Sequence, residues 1–528
     1  MNPLCQKIVL HLPPARLDDC VGDKERLLRE LAPRLDAPVE LPYRVLKTLY
    51  PLCRQEDWTV TATVVRHPDR WQVVRVEAGD TASRCFGYAV DLGSTTVVME
   101  LVDLSTGRPL AQESAFNGQI PWGEEILSRI FYAKNKPQRL QELQNATLDT
   151  LRGLMASLEQ STGVSPGDCG LLVAAGNTTM THFLLGIDPW PLFPTPGAPV
   201  FNEAGFLPAE ELGLPVGGEV FCLPSVADYV GGDTVAGILA SGIAQEGEPS
   251  ILMDIGTNGE LVVGCRDYLT AVAGAAGPAL EGGISKHGMR AGPGAIDTVT
   301  IQGPQLRFTT IGGGKAKGIC GSGVVDLLAQ LMLNGWVDLS GAMQEGASPR
   351  MIREGEQLAV VYATAEESAT GQPLTFTQED LRSFMATKAA ANTMVSYLLD
   401  SLGLELGQIA HFNAAGAFGV HLNLESAITI GLYPDLPREK FRVLGNTSLA
   451  GARMLLLDRN LLQTALDCPQ QVVYQSLADS KDFLHQMQAA MFLPHTQLDA
   501  YPTVKAELQR RGLLPPVSPS LTRAGGNR

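Results

Sequence analysis

The sequence predicts an α/β protein built of two related lobes and preceded by a small α+β domain. Two observations predict the lobes. From Phe86 to about residue 470, Gly-rich and β-branched strands alternate with amphipathic helices. One short polar pattern also occurs twice, at Asp91 and again at Asp254, as expected of a duplicated fold. The predicted divisions are 1–84 (small domain), 85–249 (first lobe), 250–475 (second lobe) and 476–528 (a helix and a flexible tail).

The small domain is predicted from its own alternation of strand and helix patterns. The strand "KIVLHL" leads to the helix "KERLLREL", for which Asp23 is the expected N-cap. Alternating apolar residues on both sides of His67-Pro68-Asp69 then predict a β-hairpin. No polar residue in this domain is arranged for chemistry.

Composition excludes several classes of protein. The net charge of -16 disfavours binding to a nucleic acid backbone, which requires a basic face. The first residues lack the apolar core of a signal peptide, and no apolar run is long enough to cross a membrane, so we expect a cytoplasmic protein. The nine cysteines are scattered without a CxxC pair, which predicts buried, reduced thiols and no iron–sulfur cluster in this chain.

The repeated pattern is "YAVDLGSTTVVMEL" (88–101) and "ILMDIGTNGELVVG" (251–264). In both copies a strand reaches Asp, one apolar residue and Gly, then hydroxyl or amide side chains. Glycine there lets successive backbone N–H groups converge on an anion, and a carboxylate beside phosphate requires a cation such as Mg²⁺. A single copy would be explained equally well by an ordinary tight turn. The predicted phosphate ligands are Asp91, Gly93, Ser94, Thr95, Thr96, Asp254, Gly256, Thr257 and Asn258, with Asp91 and Asp254 also assigned to Mg²⁺.

A third glycine turn, 414–419, follows the second copy. Two phosphate hairpins and a late small-residue turn resemble the actin, hexokinase and Hsp70 superfamily of ATP-binding folds. That resemblance implies two lobes of RNase H type closing on Mg-ATP. It places Gly416 and Gly419 against the adenosine, where a side chain would block the nucleotide.

Further segments resemble one group within that superfamily, the reductive activators of corrinoid proteins. The segments are "NGQIPWGEEILSRI" (117–130), "AAGNTTMTHFLLG" (174–186), "VGGDTVAGIL" (230–239), "GICGSGVVDLL" (318–328) and "VLGNTSLAGA" (443–452). The resemblance implies ATP hydrolysis coupled to reduction of Co(II) to Co(I) in the corrinoid protein of a methyltransferase system. Such activators usually begin with a ferredoxin-like domain whose four cysteines hold a [2Fe-2S] cluster, and this chain shows no such segment. We therefore expect electrons from a separate ferredoxin-type donor, and the family implies a possible homodimer.

Asp233 is the candidate catalytic residue. It follows two glycines and precedes a helix, so it could serve as an ordinary N-cap. Its position is also similar to the Gly-Asp of sugar kinases in the superfamily, where the Asp acts as general base towards the phosphoryl acceptor. With water as the acceptor, Asp233 would orient or deprotonate it.

Other candidates lie at the ends of predicted elements. Asn177 and Thr178 follow the strand "GLLVAAG" at its carboxyl end, where ligands of α/β sheets bind. Gly321, next to Cys320, would let a helix start approach the nucleotide. Glu124 and Arg129 form either a solvated charged face of a helix or part of the site. The glycine-rich tract 274–297 could be a lid or a contact for a partner.

Two other functions fit the same residues. The fold and Asp233 are compatible with a small-molecule kinase of sugar type. A nucleotide-dependent binding protein with little turnover is the third possibility.

Overall fold

The computed structural model describes residues 2–194, 197–256, 259–274, 283, 285–416, 421–477 and 482–514. The chain divides into two compact units. Unit 1 comprises Met1–Leu252, Val262–Ala271 and Asn446–Gln475, and unit 2 comprises Met253–Leu261, Val272–Gly445 and Ser476–Arg528. The predictions for Thr257, Asn258, Gly419 and the last residues of the tail lie outside the described residues. Within the described ranges, no helix is long and apolar enough to cross a membrane.

The first residues of unit 1 form a four-stranded sheet covered by two helices. Its elements are β1 (Cys5–His11), α1 (Asp23–Leu31), β2 (Val39–Glu40), α2 (Tyr43–Gln55), β3 (Thr59–Arg66) and β4 (Trp71–Ala78), and the sheet order is β1-β3-β4-β2. The antiparallel pair β3–β4 confirms the hairpin predicted around Pro68. The N-cap of α1 is Gly22, so the assignment of Asp23 was wrong. Asp23 is instead the first helical residue, and its carboxylate accepts from Arg54 Nη1 at 2.6 Å.

The rest of unit 1 is built around a six-stranded sheet. Its elements are β5 (Phe86–Leu92), β6 (Thr96–Asp103), β7 (Arg108–Phe116), α3 (Ile126–Ala133), α4 (Pro137–Thr162), β8 (Cys169–Gly176), α5 (Thr178–Leu185), β9 (Phe206–Pro208), β10 (Glu219–Cys222) and α6 (Gly232–Ser241). The sheet order is β7-β6-β5-β8-β10-β9. The pairs β5–β8 and β8–β10 are parallel, so the carboxyl ends of these three strands share one edge.

Strand alternation gives β5 two different faces. Tyr88, Val90 and Leu92 enter the core cluster that contains the apolar side of α4. Asp91 therefore belongs to the opposite face of the strand. Gly87 and Ala89 share that face and are also buried, so both faces of the strand are covered and its single carboxylate lies near the carboxyl end of the second face.

A second six-stranded sheet repeats this connectivity. Its strands are β11 (Ser250–Ile255), β12 (Gly259–Cys265), β13 (Tyr268–Gly274), β20 (Phe412–Ala415), β21 (Phe441–Gly445) and β22 (Val472–Tyr474), in the order β21-β20-β11-β12-β13-β22. When the short strand β9 is left out of the count and the other strands are numbered along the chain, both sheets contain the order 3-2-1-4-5. In both, the fourth and fifth strands (β8 and β10, β20 and β21) are parallel neighbours. This duplicated order confirms the two RNase H-like lobes predicted from the repeated hairpin.

The remaining elements surround these sheets. They are β14 (Ala295–Gln302), β15 (Gln305–Thr310), β16 (Gly318–Ile319), α7 (Gly321–Leu333), β17 (Met351–Glu354), β18 (Gln357–Ala363), β19 (Leu374–Thr377), α8 (Gln378–Leu402), α9 (Leu424–Thr429), α10 (Thr447–Leu457), α11 (Leu461–Gln471), α12 (Phe483–Ala490) and α13 (Pro502–Arg510). Helix α8 is one continuous helix with a capping box at Thr377 and Asp380.

The exposure of the thiols yields a direct test of this fold. Of the nine cysteines, only Cys20 is exposed, and the other eight are buried. In the native protein we expect one thiol to react rapidly with an aromatic disulfide reagent, because a buried thiol must wait for local opening of the structure. The Cys20→Ser variant should show no rapid phase, and both proteins should release their full thiol content in denaturant. Rapid reaction of two or more native thiols would contradict the packing described here.

Candidate functional site

The first candidate loop joins β5 to β6 at the carboxyl end of β5. Asp91 pairs with Val98 in the hairpin, and the turn consists of Gly93, Ser94 and Thr95. A Cβ atom on Gly93 would collide with the carbonyl oxygen of Thr96, so glycine is required for the chain to turn this tightly. The hydroxyl-bearing residues Ser94 and Thr95 are nearly fully buried.

The carbonyl groups of this turn are all held by the segment 117–129. Asn117 Nδ2 donates to Gly93 O at 2.9 Å, and the Asn117 amide donates to Thr95 O at 2.9 Å. Between them, Arg129 Nη2 donates to Ser94 O at 2.7 Å. In a trans peptide the N–H group points opposite to the C=O group. The amides that follow Gly93 and Ser94 therefore point away from Arg129, in the arrangement that an anion-binding turn requires.

A side chain from much later in the chain contacts Asp91. Asn446 Nδ2 donates to Asp91 Oδ2 at 2.7 Å, while Asn446 Oδ1 accepts from the Leu449 amide at 2.8 Å and so caps α10. The cap fixes the amide group, and the amide orients the carboxylate without adding a charge. Our prediction of the site from sequence missed Asn446. The tripeptide Gly445-Asn446-Thr447 repeats Gly176-Asn177-Thr178, and that repeat was the available signal.

Asn177 and Thr178 lie at the same edge of the sheet as Asp91. Asp91 pairs with Ala175 of the parallel strand β8, and Asn177 follows that strand. Asn177 caps α5 by accepting from the Met180 amide at 2.9 Å, and Thr178 Oγ1 donates to Ala227 O at 2.7 Å. Both predicted residues thus occupy the carboxyl edge of the sheet, although the contacts described for them are structural.

The start of α6 packs directly against this edge. A Cβ atom on Gly231 would overlap the backbone of Asn177 and Thr178, so the chain leading to Asp233 can approach only because residue 231 is glycine. Gly231 is also the N-cap of α6, and Asp233 is its second residue. The alternative that Asp233 is the N-cap is therefore wrong. Its Oδ1 accepts from the Thr234 amide at 2.8 Å.

Desolvation gives Asp233 an unusual protonation equilibrium. Burial raises the pKa of its carboxyl group to about 6, against the opposing effect of backbone hydrogen bonds such as that from Thr234. A carboxylate with a pKa near the working pH is suited to accept a proton. By contrast, His182 is fully buried, and its Nε2 accepts a hydrogen bond from the Val200 amide at 3.2 Å. Burial lowers the pKa of His182, so the imidazole stays neutral.

In unit 2, the second hairpin carries Asp254 at the end of β11 and Gly256 in its turn. The glycine turn after β20 lies against it: Gly416 has φ = 88°, and a Cβ atom there would lie 2.7 Å from both Asp254 Oδ1 and Ile255 O. Only glycine accommodates both this backbone conformation and this approach. The third glycine turn and the second hairpin are therefore neighbours, as the superfamily resemblance implies.

Several other predicted residues lie at, before or within helices. Gly321 begins α7, and the preceding Cys320 is buried with its thiol 3.2 Å from Ile296 O, so this thiol is structural. Glu124 precedes α3 and is exposed. Arg129 is completely buried within α3, which excludes a solvated charged face for that residue.

Each hairpin by itself carries a donor of the kind that Mg²⁺ binds. Each hairpin supplies one aspartate, and Mg²⁺ is typically bound through one or two carboxylates together with phosphate oxygens and water. Each carboxylate is backed by a neutral group, the Asn446 amide at Asp91 and the Gly416 backbone at Asp254. Across the described ranges, no three His, Cys, Asp or Glu side chains form a group that could hold a metal by themselves.

Two sheets of the order 3-2-1-4-5, each opening with an Asp-x-Gly hairpin, define the class: a protein of the actin, hexokinase and Hsp70 superfamily, abbreviated ASKHA. Family models support this class and narrow it. Residues 248–505 match the C-terminal ASKHA domain of RACo, residues 86–246 match the RACo middle region, and residues 1–83 match the RACo linker region.

Individual relatives agree with the family models. The chain is 32% identical over 409 residues to the corrinoid activation enzyme RamQ of Eubacterium limosum, covering 76% of this chain and 69% of that protein. It is 24% identical to the [Co(II) methylated amine-specific corrinoid protein] reductase of Methanosarcina barkeri, covering 74% of each. A solved structure of a reductive activator for corrinoid, iron-sulfur protein matches with a TM-score of 0.88 and 37% identity, over 95% of this chain and 81% of that one. The chain belongs to the family of reductive activators of corrinoid proteins.

The Asn446–Asp91 contact can be tested with a cap-preserving substitution. Asn446→Asp keeps an oxygen for the Leu449 amide but places a second carboxylate against Asp91. We expect a loss of about 1–3 kcal/mol in the free energy of unfolding near neutral pH, shrinking as acid protonates one carboxyl group. Asn177→Asp is the matched control, since it retains the equivalent cap and should change stability by less than about 0.5 kcal/mol. Equal effects of the two substitutions in urea titrations would refute the role of Asn446.

Asp233 should destabilise the folded protein at neutral pH. Its pKa is about 6 in the folded protein and has the ordinary value of 3.8 in the unfolded chain. Between these two pH values the folded state holds a proton that the unfolded state has already released. Stability from this group is therefore lost as the pH rises from about 4 to about 6, and the loss persists above that range. We expect Asp233→Asn to raise the free energy of unfolding by about 1–2 kcal/mol at neutral pH and by almost nothing near pH 4. Urea titrations across this range would show the opposite trend if the carboxylate were stabilised in the fold.

Proposed function

We propose that this protein is an ATP-dependent reductive activator that returns an inactive Co(II) corrinoid protein of a methyltransferase system to Co(I). The observation that carries the proposal is the pair of Asp-x-Gly hairpins within a chain that matches this family almost from end to end. Two relatives, a corrinoid activation enzyme and a reductase of a Co(II) corrinoid protein, support the same reaction.

The nucleotide is assigned to the loops predicted from sequence. Gly93, Ser94, Thr95 and Thr96, with Asp91, would hold phosphate in unit 1, supported by the amide direction that Asn117 and Arg129 impose. In unit 2 the assigned residues are Asp254, Gly256, Thr257, Asn258, Gly321, Gly416 and Gly419. Asp91 and Asp254 would hold Mg²⁺, which when bound neutralises phosphate charge.

Asp233 is proposed as the general base of ATP hydrolysis. Asn177 and Thr178, with which it shares an edge of the sheet, would complete the site in unit 1. With its pKa raised to about 6, Asp233 is mostly ionised at neutral pH yet retains enough basicity to orient or deprotonate a water molecule. Its role requires the ionised form, so turnover should fall as the pH drops below about 6.

The electron is proposed to come from a separate one-electron iron–sulfur donor of ferredoxin type. The cysteines of this chain are spaced far apart in sequence, and eight of the nine are buried. The balanced reaction oxidises one reduced donor, converts one Co(II) to Co(I), and hydrolyses ATP to ADP and phosphate. The nine cysteines are free thiols and eight of them are buried, which supports action in the cytoplasm. We also propose a homodimer, as the family resemblance implies.

This proposal predicts ATP-dependent formation of Co(I). Under anaerobic conditions, the protein should convert a Co(II) corrinoid protein to Co(I) when given Mg-ATP and a reduced ferredoxin, as followed by the loss of the Co(II) electron paramagnetic resonance signal. ATP hydrolysis should be stimulated by the Co(II) partner. Asp233→Asn should lower both rates by about 100-fold or more, because a general base commonly contributes that much. A circular dichroism spectrum like that of the wild type would show that the variant is folded. The loss of both rates would then be due to the missing carboxylate.

Three outcomes separate the alternatives. Corrinoid proteins of methyltransferase systems and a corrinoid iron–sulfur protein should be tested side by side, because relatives act on both kinds. A phosphorylated product in a screen of sugars and polyols, with no Co(I), would favour the small-molecule kinase. Tight binding of ATP without hydrolysis in the presence of every corrinoid protein would favour a nucleotide-dependent binding protein.

A further inference from the structure

Arg129 is a buried cation whose described partners are all uncharged. Its guanidinium donates from Nε to Gly123 O at 2.8 Å, from Nη1 to Gln119 Oε1 at 3.1 Å and from Nη2 to Ser94 O at 2.7 Å. A longer bond reaches Glu124 O at 3.5 Å, and Met180 Sδ lies 3.6 Å from Nη1. The side chain is completely inaccessible to solvent.

Nearby carboxylates do not neutralise this charge. Glu124 and Glu125 precede α3, and both are exposed. Arg129 contacts only the main-chain oxygen of Glu124, and no ion pair to it occurs among the described residues. Burial lowers the pKa of Arg129 to about 10, and the group remains protonated at neutral pH.

Two other fully or almost fully buried charged side chains of unit 1, Arg26 and Glu100, have ionic partners. Arg26 is also completely buried and also donates to three main-chain carbonyl groups, but Asp19 lies 2.7 Å from it. Buried Glu100 is paired with Arg453 at 3.1 Å. Burying a charge without a counter-ion is costly, so a sequence retains such a group where another requirement offsets the cost. Arg129 therefore calls for an explanation that Arg26 does not.

The position of Ser94 supplies that explanation. The carbonyl group that accepts from Arg129 belongs to the middle peptide of the first hairpin turn. The same peptide carries the N–H group of Thr95 on its opposite side, so the guanidinium aligns and polarises a peptide dipole with its positive end directed away from Arg129. A planar fork with five donors can hold Ser94, Gln119 and Gly123 at once, whereas a lysine ammonium group cannot match that geometry.

We propose that Arg129 is a positioning residue for polyphosphate: it locks the first hairpin in its anion-binding conformation, and its uncompensated charge is balanced only when phosphate oxygens bind on the other side of the turn. The proposal deepens the nucleotide-binding role proposed above and rests on it. It also assigns a ligand class, the nucleoside polyphosphates. A positive charge that acts through the hairpin should strengthen binding more for a ligand with more phosphate groups at the hairpin. Adenosine, which has no phosphate, should gain nothing from it.

The test compares Arg129→Met with Arg129→Lys and with the matched control Arg26→Met. Dissociation constants for Mg-ATP, Mg-ADP, AMP and adenosine would be measured by competition with a fluorescent adenosine analogue. We expect Arg129→Met to weaken Mg-ATP binding by about 10-fold or more and adenosine binding by less than about twofold. Arg129→Lys should recover part of the loss because it keeps the charge without the fork. Arg26→Met should lower the melting temperature while leaving all four constants unchanged.

The outcomes distinguish this inference from the proposed function. Equal losses for Mg-ATP and adenosine in Arg129→Met would show a merely structural role and overturn the inference, as would an unchanged affinity for Mg-ATP. If Arg129→Met does not fold, Arg129→Lys decides the matter: the inference requires that its loss increase from adenosine to Mg-ATP, and a uniform loss overturns it. A wild-type protein that does not bind Mg-ATP would instead refute the proposed function itself.

Discussion

The structure of the first hairpin depends on hydrogen bonds that hold its carbonyl groups from one side. Asn117 and Arg129 fix the orientation of three successive peptides by donating hydrogen bonds to the carbonyl oxygens of Gly93, Ser94 and Thr95. Because each peptide is planar, fixing its oxygen fixes its N–H group on the other side. The anion-binding character proposed for the turn would thus be produced by residues that do not themselves face the anion. The carboxylate of Asp91 is fixed in a similar way by the cap of another helix.

Close backbone approach brings the remaining parts of each site together. Gly231 lets the start of α6 contact Asn177 and Thr178, and Gly451 lets α10 lie against the backbone of Ala236 in α6. In unit 2, Gly416 allows a turn to reach Asp254. These glycines lie where a Cβ atom would meet main-chain or carboxylate atoms that have no room to move, so they act by removing volume. Within each unit, their effect is to bring together groups from distant parts of the sequence.

Sequence reasoning recovered the features that are encoded locally. The strand–Asp-x-Gly–strand pattern specified both hairpins, and its repetition specified the duplicated sheet order, because register and alternation are properties of short segments. Partners that meet through the fold were less accessible. Asn446 lies far from Asp91 in sequence, and its contact depends on where α10 packs. Arg129 was ambiguous because a single charged residue beside two glutamates has the same local pattern whether it faces water or the core. Asp233 was predicted to precede a helix, but it is the second residue of α6, because Gly231 caps that helix and leaves the carboxylate available.

Asp233 and Arg129 both lower the stability of the first lobe. One is a carboxyl group whose ionised form is disfavoured by burial, and the other is a buried guanidinium without an ionic partner among the described residues. Neither group favours folding, because replacing it by a neutral group of similar shape removes a desolvation cost from the free energy of folding. Both lie in segments that border the same hairpin and sheet edge, which is where strained or costly groups concentrate when a site must bind charge and move a proton. A bound polyphosphate would reverse one of these costs, since an anion at the hairpin stabilises the guanidinium. At the same time its negative charge would raise the basicity of Asp233, coupling occupancy of the phosphate site to the strength of the proposed base.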